Sequence, residues 1–107
     1  MIENLTVRDL SARLKNGDAG IVVLDVREPW EIAIASLPGS LNIAMREIPA
    51  RVAELPQDKA IAVLCHHGNR SARVAEFLVR NGFQNVYNIG GGIAAWAQDI
   101  DPTTPVY

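Results

Sequence analysis

The chain is poor in the residues that build several common kinds of protein. It has one cysteine, two histidines and six aromatic residues among 107. A single thiol cannot form an internal disulfide, so nothing in the composition calls for an oxidising compartment. There is no excess of positive charge: 10 Lys and Arg stand against 12 Asp and Glu, for a formal net charge of −2. That leaves no basic field for nucleic acid and no polybasic patch for an anionic membrane. No apolar run approaches the length of a membrane span, and the opening MIENLTVRDL is too acidic and too short of apolar residues for a signal peptide. Repeats and low-complexity segments are also missing. A single soluble domain over 1–107 is expected, cytoplasmic in location, with an irregular tail from about residue 100.

What is present is concentrated in AIAVLCHHGNRSARVAEFLVRN, residues 60–81. Ala60 to Leu64 form an unbroken apolar run into Cys65. A polar loop follows, and Arg70-Ser71 opens a helix with Val74, Ala75, Leu78 and Val79 on one face. Strand, tight loop and helix start place the thiol over a helix N-terminus. Unpaired N–H groups there favour an anion, and an ionised thiol is the nucleophile.

Around this unit the chain alternates in type. Thr6 reads as an N-cap before Val7, Leu10 and Leu14, with Gly17 as the stop, and residues 2–5 are able to add an edge strand. IVVLDV, residues 21–26, suits a strand buried on both faces. A short helix from Pro29 to about Ser36 precedes the turn Leu37-Pro38-Gly39-Ser40 and a brief strand at 41–43. A helix is expected over 46–54, a last strand over 84–89 and a closing helical turn over 93–97. Such alternation predicts an α/β fold with a mainly parallel sheet and helices on both faces. Sites in these folds lie beyond the carboxyl ends of the strands, where Asp25-Arg27, Cys65 and Gly90-Gly92 all fall.

Five segments in order carry a resemblance. They are Leu24-Asp25-Val26-Arg27-Glu28-Pro29-Trp30-Glu31, then Leu37-Pro38-Gly39-Ser40-Leu41-Asn42-Ile43, and then Cys65-His66-His67-Gly68-Asn69-Arg70-Ser71-Ala72-Arg73. Gly82-Phe83-Gln84-Asn85-Val86-Tyr87 and Gly91-Gly92-Ile93-Ala94-Ala95-Trp96 complete the series. Together they resemble a single-domain rhodanese. The resemblance implies a five-stranded mainly parallel sheet and a sulfurtransferase. In that chemistry Cys65 takes the outer sulfur of a donor such as thiosulfate, becomes a persulfide and passes the sulfur to cyanide or another thiophilic acceptor. It implies no cofactor beyond the covalent persulfide. Its partners would be a small anionic sulfur donor and a thiol, cyanide or protein acceptor. His66, His67, Gly68, Asn69, Arg70 and Ser71 match the family's persulfide-binding loop. Ala35-Ser36 stands where many relatives carry Gly-His, beside the pocket edge.

Each residue also has a plainer reading. Cys65 alone could be a buried small hydrophobe, and Arg70 a solvated first-turn residue, although its charge beside the helix's positive end calls for an anion. Asp25 and Arg27 either support the loop or satisfy strand-end amides. Gly90 to Gly92 reads as a turn with positive φ, and Trp30 and Trp96 as packing residues, with Trp30 able to wall the pocket. No metal site is expected, because Cys65-His66-His67 lacks zinc-ligand spacing and no further Cys or His exists. Two rival functions remain: a cysteine-dependent phosphatase and a non-catalytic docking module. Phosphatases of this kind use a longer loop than the six residues from Cys65 to Arg70, which favours sulfur.

Overall fold

The computed structural model describes residues 2–107. Strand β1 (Glu3–Leu5) leads into helix α1 (Val7–Lys15), where the Thr6 hydroxyl accepts the Asp9 N–H at 3.1 Å as the expected N-cap. Strand β2 (Ile21–Asp25) is followed by α2 (Pro29–Ile34), with Pro29 in the first turn, where its missing N–H costs nothing. Strand β3 (Leu41–Asn42) is two residues long.

The single helix expected over 46–54 is broken into three pieces. A 3₁₀ turn (Met45–Glu47), a single α-turn α3 (Ile48–Arg51) and a second 3₁₀ turn (Val52–Glu54) take its place. Ile48 bonds back to the Met45 carbonyl in 3₁₀ fashion, and Pro49 has no N–H with which to continue an α-helical ladder. Strand β4 (Ala60–Leu64), helix α4 (Asn69–Arg80), strand β5 (Val86–Ile89) and helix α5 (Gly92–Asp99) complete the fold. The closing element is therefore a true helix, longer than the turn the sequence suggests.

The five strands form one sheet in the order β1-β5-β4-β2-β3, with every pairing parallel. Successive side chains of a strand point to opposite faces, so each central strand feeds two cores. On β4, Ile61 and Val63 pack with Val74, Ala75 and Leu78 of α4. Ala60, Ala62 and Leu64 pack on the other face with Leu10 of α1 and Ile93 of α5. Cys65 continues the odd series and belongs to the α4 face. Asp25, paired in register with Leu64, takes the opposite parity from Leu24 and Val26. This parity decides which side chains meet the thiol.

Candidate active site

The site is built at the carboxyl ends of β2, β4 and β5, which are neighbours in the sheet. Cys65 is 1% exposed. Its Sγ accepts the Gly68 N–H at 3.0 Å, and as a thiol it donates to the Ser71 hydroxyl at 3.3 Å. Ser71 donates in turn to the Asn88 side-chain carbonyl. Burial pushes the Cys65 pKa up. The Ser71 hydroxyl and the N–H groups of Ser71, Gly68 and His67 outweigh that penalty, and the net displacement is downward. When the thiol ionises, the Ser71 hydroxyl can turn and donate to sulfur.

The loop keeps its N–H groups on the sulfur because its carbonyls are held elsewhere. The Cys65 carbonyl accepts from Ile93 N–H at 2.9 Å and the His66 carbonyl from Ala94 N–H at 3.1 Å, both in the first turn of α5. This contact explains part of the glycine run. A Cβ on Gly92, at φ +60°, would lie 2.4 Å from both of those carbonyl oxygens. Gly91 also has positive φ, whereas Gly90 does not. Gly68, at φ +107°, makes the turn from the loop into α4, and its carbonyl accepts from the Asn88 amide at 3.3 Å.

Arg70 is engaged by a carboxylate of the chain itself. Its two Nη groups make a bidentate pair with Glu31 of α2, both contacts at 2.7 Å. Glu31 is 3% exposed, yet its acceptor positions are filled, because it also takes the Glu28 N–H at 2.8 Å and the Tyr107 hydroxyl at 2.9 Å. The Arg70 guanidinium leads these donors in holding the Glu31 carboxyl down at about 2. The charge of Arg70 is thus already compensated within the chain.

Asp25 and Arg27 form a fully buried pair beside this arrangement, with Arg27 Nη2 on Asp25 Oδ2 at 2.7 Å and Arg27 Nε on Asp25 Oδ1 at 2.9 Å. The remaining donors of Arg27 reach the Ala35 carbonyl at 2.7 Å and the Tyr107 hydroxyl at 2.9 Å. The pair therefore fixes the end of α2, and its hydrogen bond to Tyr107 links it to the ring that stacks on His66. Ala35 has extended backbone, open to any residue, and its side chain is buried, while Ser36 is exposed.

The rim is aromatic. The His66 ring stacks on His67 and on Tyr107, each at 4.0 Å between centroids, and Trp30 meets Tyr107 edge-on at 5.9 Å. Trp30 is 62% exposed, a rim residue rather than part of the core. Trp96 is partly buried against the core of the α1 and α5 face. Asn69 is exposed at the first position of α4. Burial and the neighbouring His67 lower the His66 pKa.

Asn88 and Tyr107 lie outside the residues to which the sequence points, and Glu31 enters there only as the last residue of the segment 24–31, with no role of its own. Asn88 had a usable signal in its parity with Val86, and the structure's register of Asn88 with Val63 puts it on the α4 face. Glu31 looks like a solvated charge on a short helix, and Tyr107 sits in a segment with no pattern.

The family model described as Rhodanese-like domain matches residues 6–99. The chain belongs to the rhodanese family. It is 35% identical over 98 residues to a sulfurtransferase of Allochromatium vinosum, covering 92% of this chain and 91% of that protein. It is 37% identical over 110 residues to the adenylyltransferase and sulfurtransferase MOCS3-2 of Zea mays, a match covering 96% of this chain but 23% of that much longer protein. The crystal structure of a rhodanese-related protein from Thermoplasma volcanium superposes with a TM-score of 0.83 at 38% identity, covering 92% of this chain and 93% of that one. The rhodanese fold thus accounts for the five-stranded parallel sheet. Among the described residues, no helix is long and apolar enough to cross a membrane.

Proposed function

We propose that this rhodanese-family chain is a sulfurtransferase in which Cys65 carries the sulfur as a persulfide. The observation that supports this most directly is the Cys65 thiol itself. It is buried at the floor of a six-residue loop, with the Gly68 N–H and the Ser71 hydroxyl on its sulfur. In the first step the Cys65 thiolate attacks the outer sulfur of thiosulfate. A new S–S bond forms, the donor's S–S bond breaks, and sulfite leaves with the bonding pair. In the second step a thiophile such as cyanide attacks the outer persulfide sulfur. Thiocyanate departs and the Cys65 thiolate returns, so no external oxidant or reductant is consumed.

The protein's part is electrostatic and positional. Loop amides that bond the thiolate can bond the inner or outer sulfur of the persulfide, which also carries negative charge. Arg70 is committed to Glu31, so in this reading the amides of the loop and the Ser71 hydroxyl hold the sulfur anion, while Arg70 holds the loop's helical end. The downward displacement of the Cys65 thiol enlarges its thiolate fraction, the form that attacks sulfur.

The test is intact mass. Reduced protein is incubated with thiosulfate, freed of small molecules and weighed before and after cyanide. A gain of one sulfur atom, removed by cyanide as thiocyanate and absent in Cys65→Ser, is expected. No gain from thiosulfate, 3-mercaptopyruvate or a small-molecule persulfide would refute the reading and turn attention to phosphate esters or to a docking role.

A further inference from the structure

Tyr107 is joined to three parts of the site that are remote from it in sequence. Its hydroxyl donates to Glu31 Oε1 and accepts from Arg27 Nη1, each at 2.9 Å and 76 and 80 residues away along the chain. Its ring lies 9° from parallel to the His66 ring, at 4.0 Å. His67 stacks on His66 at the same separation, so the two neighbours occupy opposite faces of the His66 imidazole. The segment leading to Tyr107 is not a free strand of chain. It leaves α5 through the Asp101 N–H to Trp96 carbonyl bond at 3.0 Å and turns through Thr104 N–H to Asp101 carbonyl, also at 3.0 Å.

We propose that Tyr107 is a positioning residue of the Cys65 loop, its ring bracing His66 while its hydroxyl holds the Glu31 carboxylate that clamps Arg70. The inference rests on Cys65 being the reacting group. The loop's backbone is tied on one side, through the Cys65 and His66 carbonyls, to α5. On its outer side the hold is through the His66 ring, and Tyr107 provides one face of it. Residues His67 and Gly68, whose N–H groups favour the thiolate, follow His66 directly. Freed of the ring, the loop can swing those donors off the sulfur. The charged and titratable groups around the thiol are His66 and His67 on the loop, Arg70 on α4, Glu31 on α2, Asp25 at the end of β2 and Arg27 just after it. Tyr107 touches three of these and so acts on the thiol only through them.

The test reads the thiolate directly, as the pH dependence of Cys65 alkylation by iodoacetamide in the full chain. Loss of hydrogen-bond donors to an anion raises its pKa. Tyr107→Ala should therefore move the midpoint up by roughly half to one pH unit, and slow sulfur loading near neutral pH about 3- to 10-fold. Tyr107→Phe keeps the ring and should restore at least half of the shift. Val106→Ala, changing a neighbour that is 82% exposed, should match the parent. A midpoint unmoved in a folded Tyr107→Ala protein, or one moved as far by Tyr107→Phe, would overturn the proposal. If Tyr107→Ala does not fold, Tyr107→Leu, which removes the flat face but keeps apolar bulk, is judged by the same criterion. Because alkylation needs no sulfur donor, failure of the persulfide reading and failure of this one are separate results.

Discussion

Replacing Glu31 by Gln tests the central electrostatic arrangement of the site. The carboxylate is buried, takes two hydrogen bonds from Arg70 and one each from Glu28 N–H and Tyr107, and is held at about 2 against an ordinary 4.5. A displacement of that size corresponds to about 3 kcal/mol of stability at neutral pH. Arg70 is 32% exposed, and solvent screening trims the figure to about 2–3 kcal/mol. The folded pKa lies below the unfolded one, so this stability is fully present above about pH 5 and is lost as pH falls through about 2. Gln keeps the shape but not the charge. Near neutral pH, Glu31→Gln should therefore lower the unfolding free energy by about 2–3 kcal/mol, or Tm by about 10 °C for a domain of this length. Urea unfolding of both proteins from pH 7 to pH 2 checks this. Other carboxylates also titrate in that range, so the quantity to follow is the gap between the two curves. It should close as pH falls, because protonated Glu31 resembles Gln. A gap that stays constant, or none at pH 7, would refute the assignment of Glu31 as a charge-paired anchor.

Two further outcomes follow from the sulfur's surroundings. Ser71→Ala removes a hydroxyl that favours the Cys65 thiolate, and should raise the midpoint of the alkylation profile by about half to one pH unit. Gly92→Ala places a Cβ against the Cys65 and His66 carbonyl oxygens at positive φ, and should cost at least about 1–3 kcal/mol. The same substitution should also lower the alkylation rate of Cys65, since α5 can no longer hold the loop; urea unfolding and alkylation kinetics check the pair of effects.

Local pattern made much of the fold legible. The apolar runs at 21–26 and 60–64 are strands, and the face of Val74, Ala75 and Leu78 packs α4 on the sheet. Thr6 caps α1 as read. These are effects of neighbours in sequence, where periodicity and capping chemistry act over a few residues. The region 46–54 misled because its apolar spacing is helical while Pro49 denies the helix a continuous ladder.

The candidate site divides in the same way. Cys65, its loop and Gly68, which turns it into α4, are contiguous, so strand, loop and helix could be read together from one stretch. The sequence left Arg27 free to pair with Asp25 or with Glu28; the structure pairs it with Asp25 and sets its remaining donors on the end of α2 and on Tyr107. The partner of Arg70 comes from 39 residues earlier, the partner of Ser71 from 17 residues later, and the brace on His66 from the far end of the chain. By itself the sequence determined the alternation of strand and helix, the thiol at the end of a strand and the loop beneath it, because each depends on residues adjacent in the chain. Only the tertiary structure decided where the charges go. Strand order and side-chain parity bring Glu31, Asn88 and Tyr107 to the loop, and burial there leaves each polar group no choice but to find a partner.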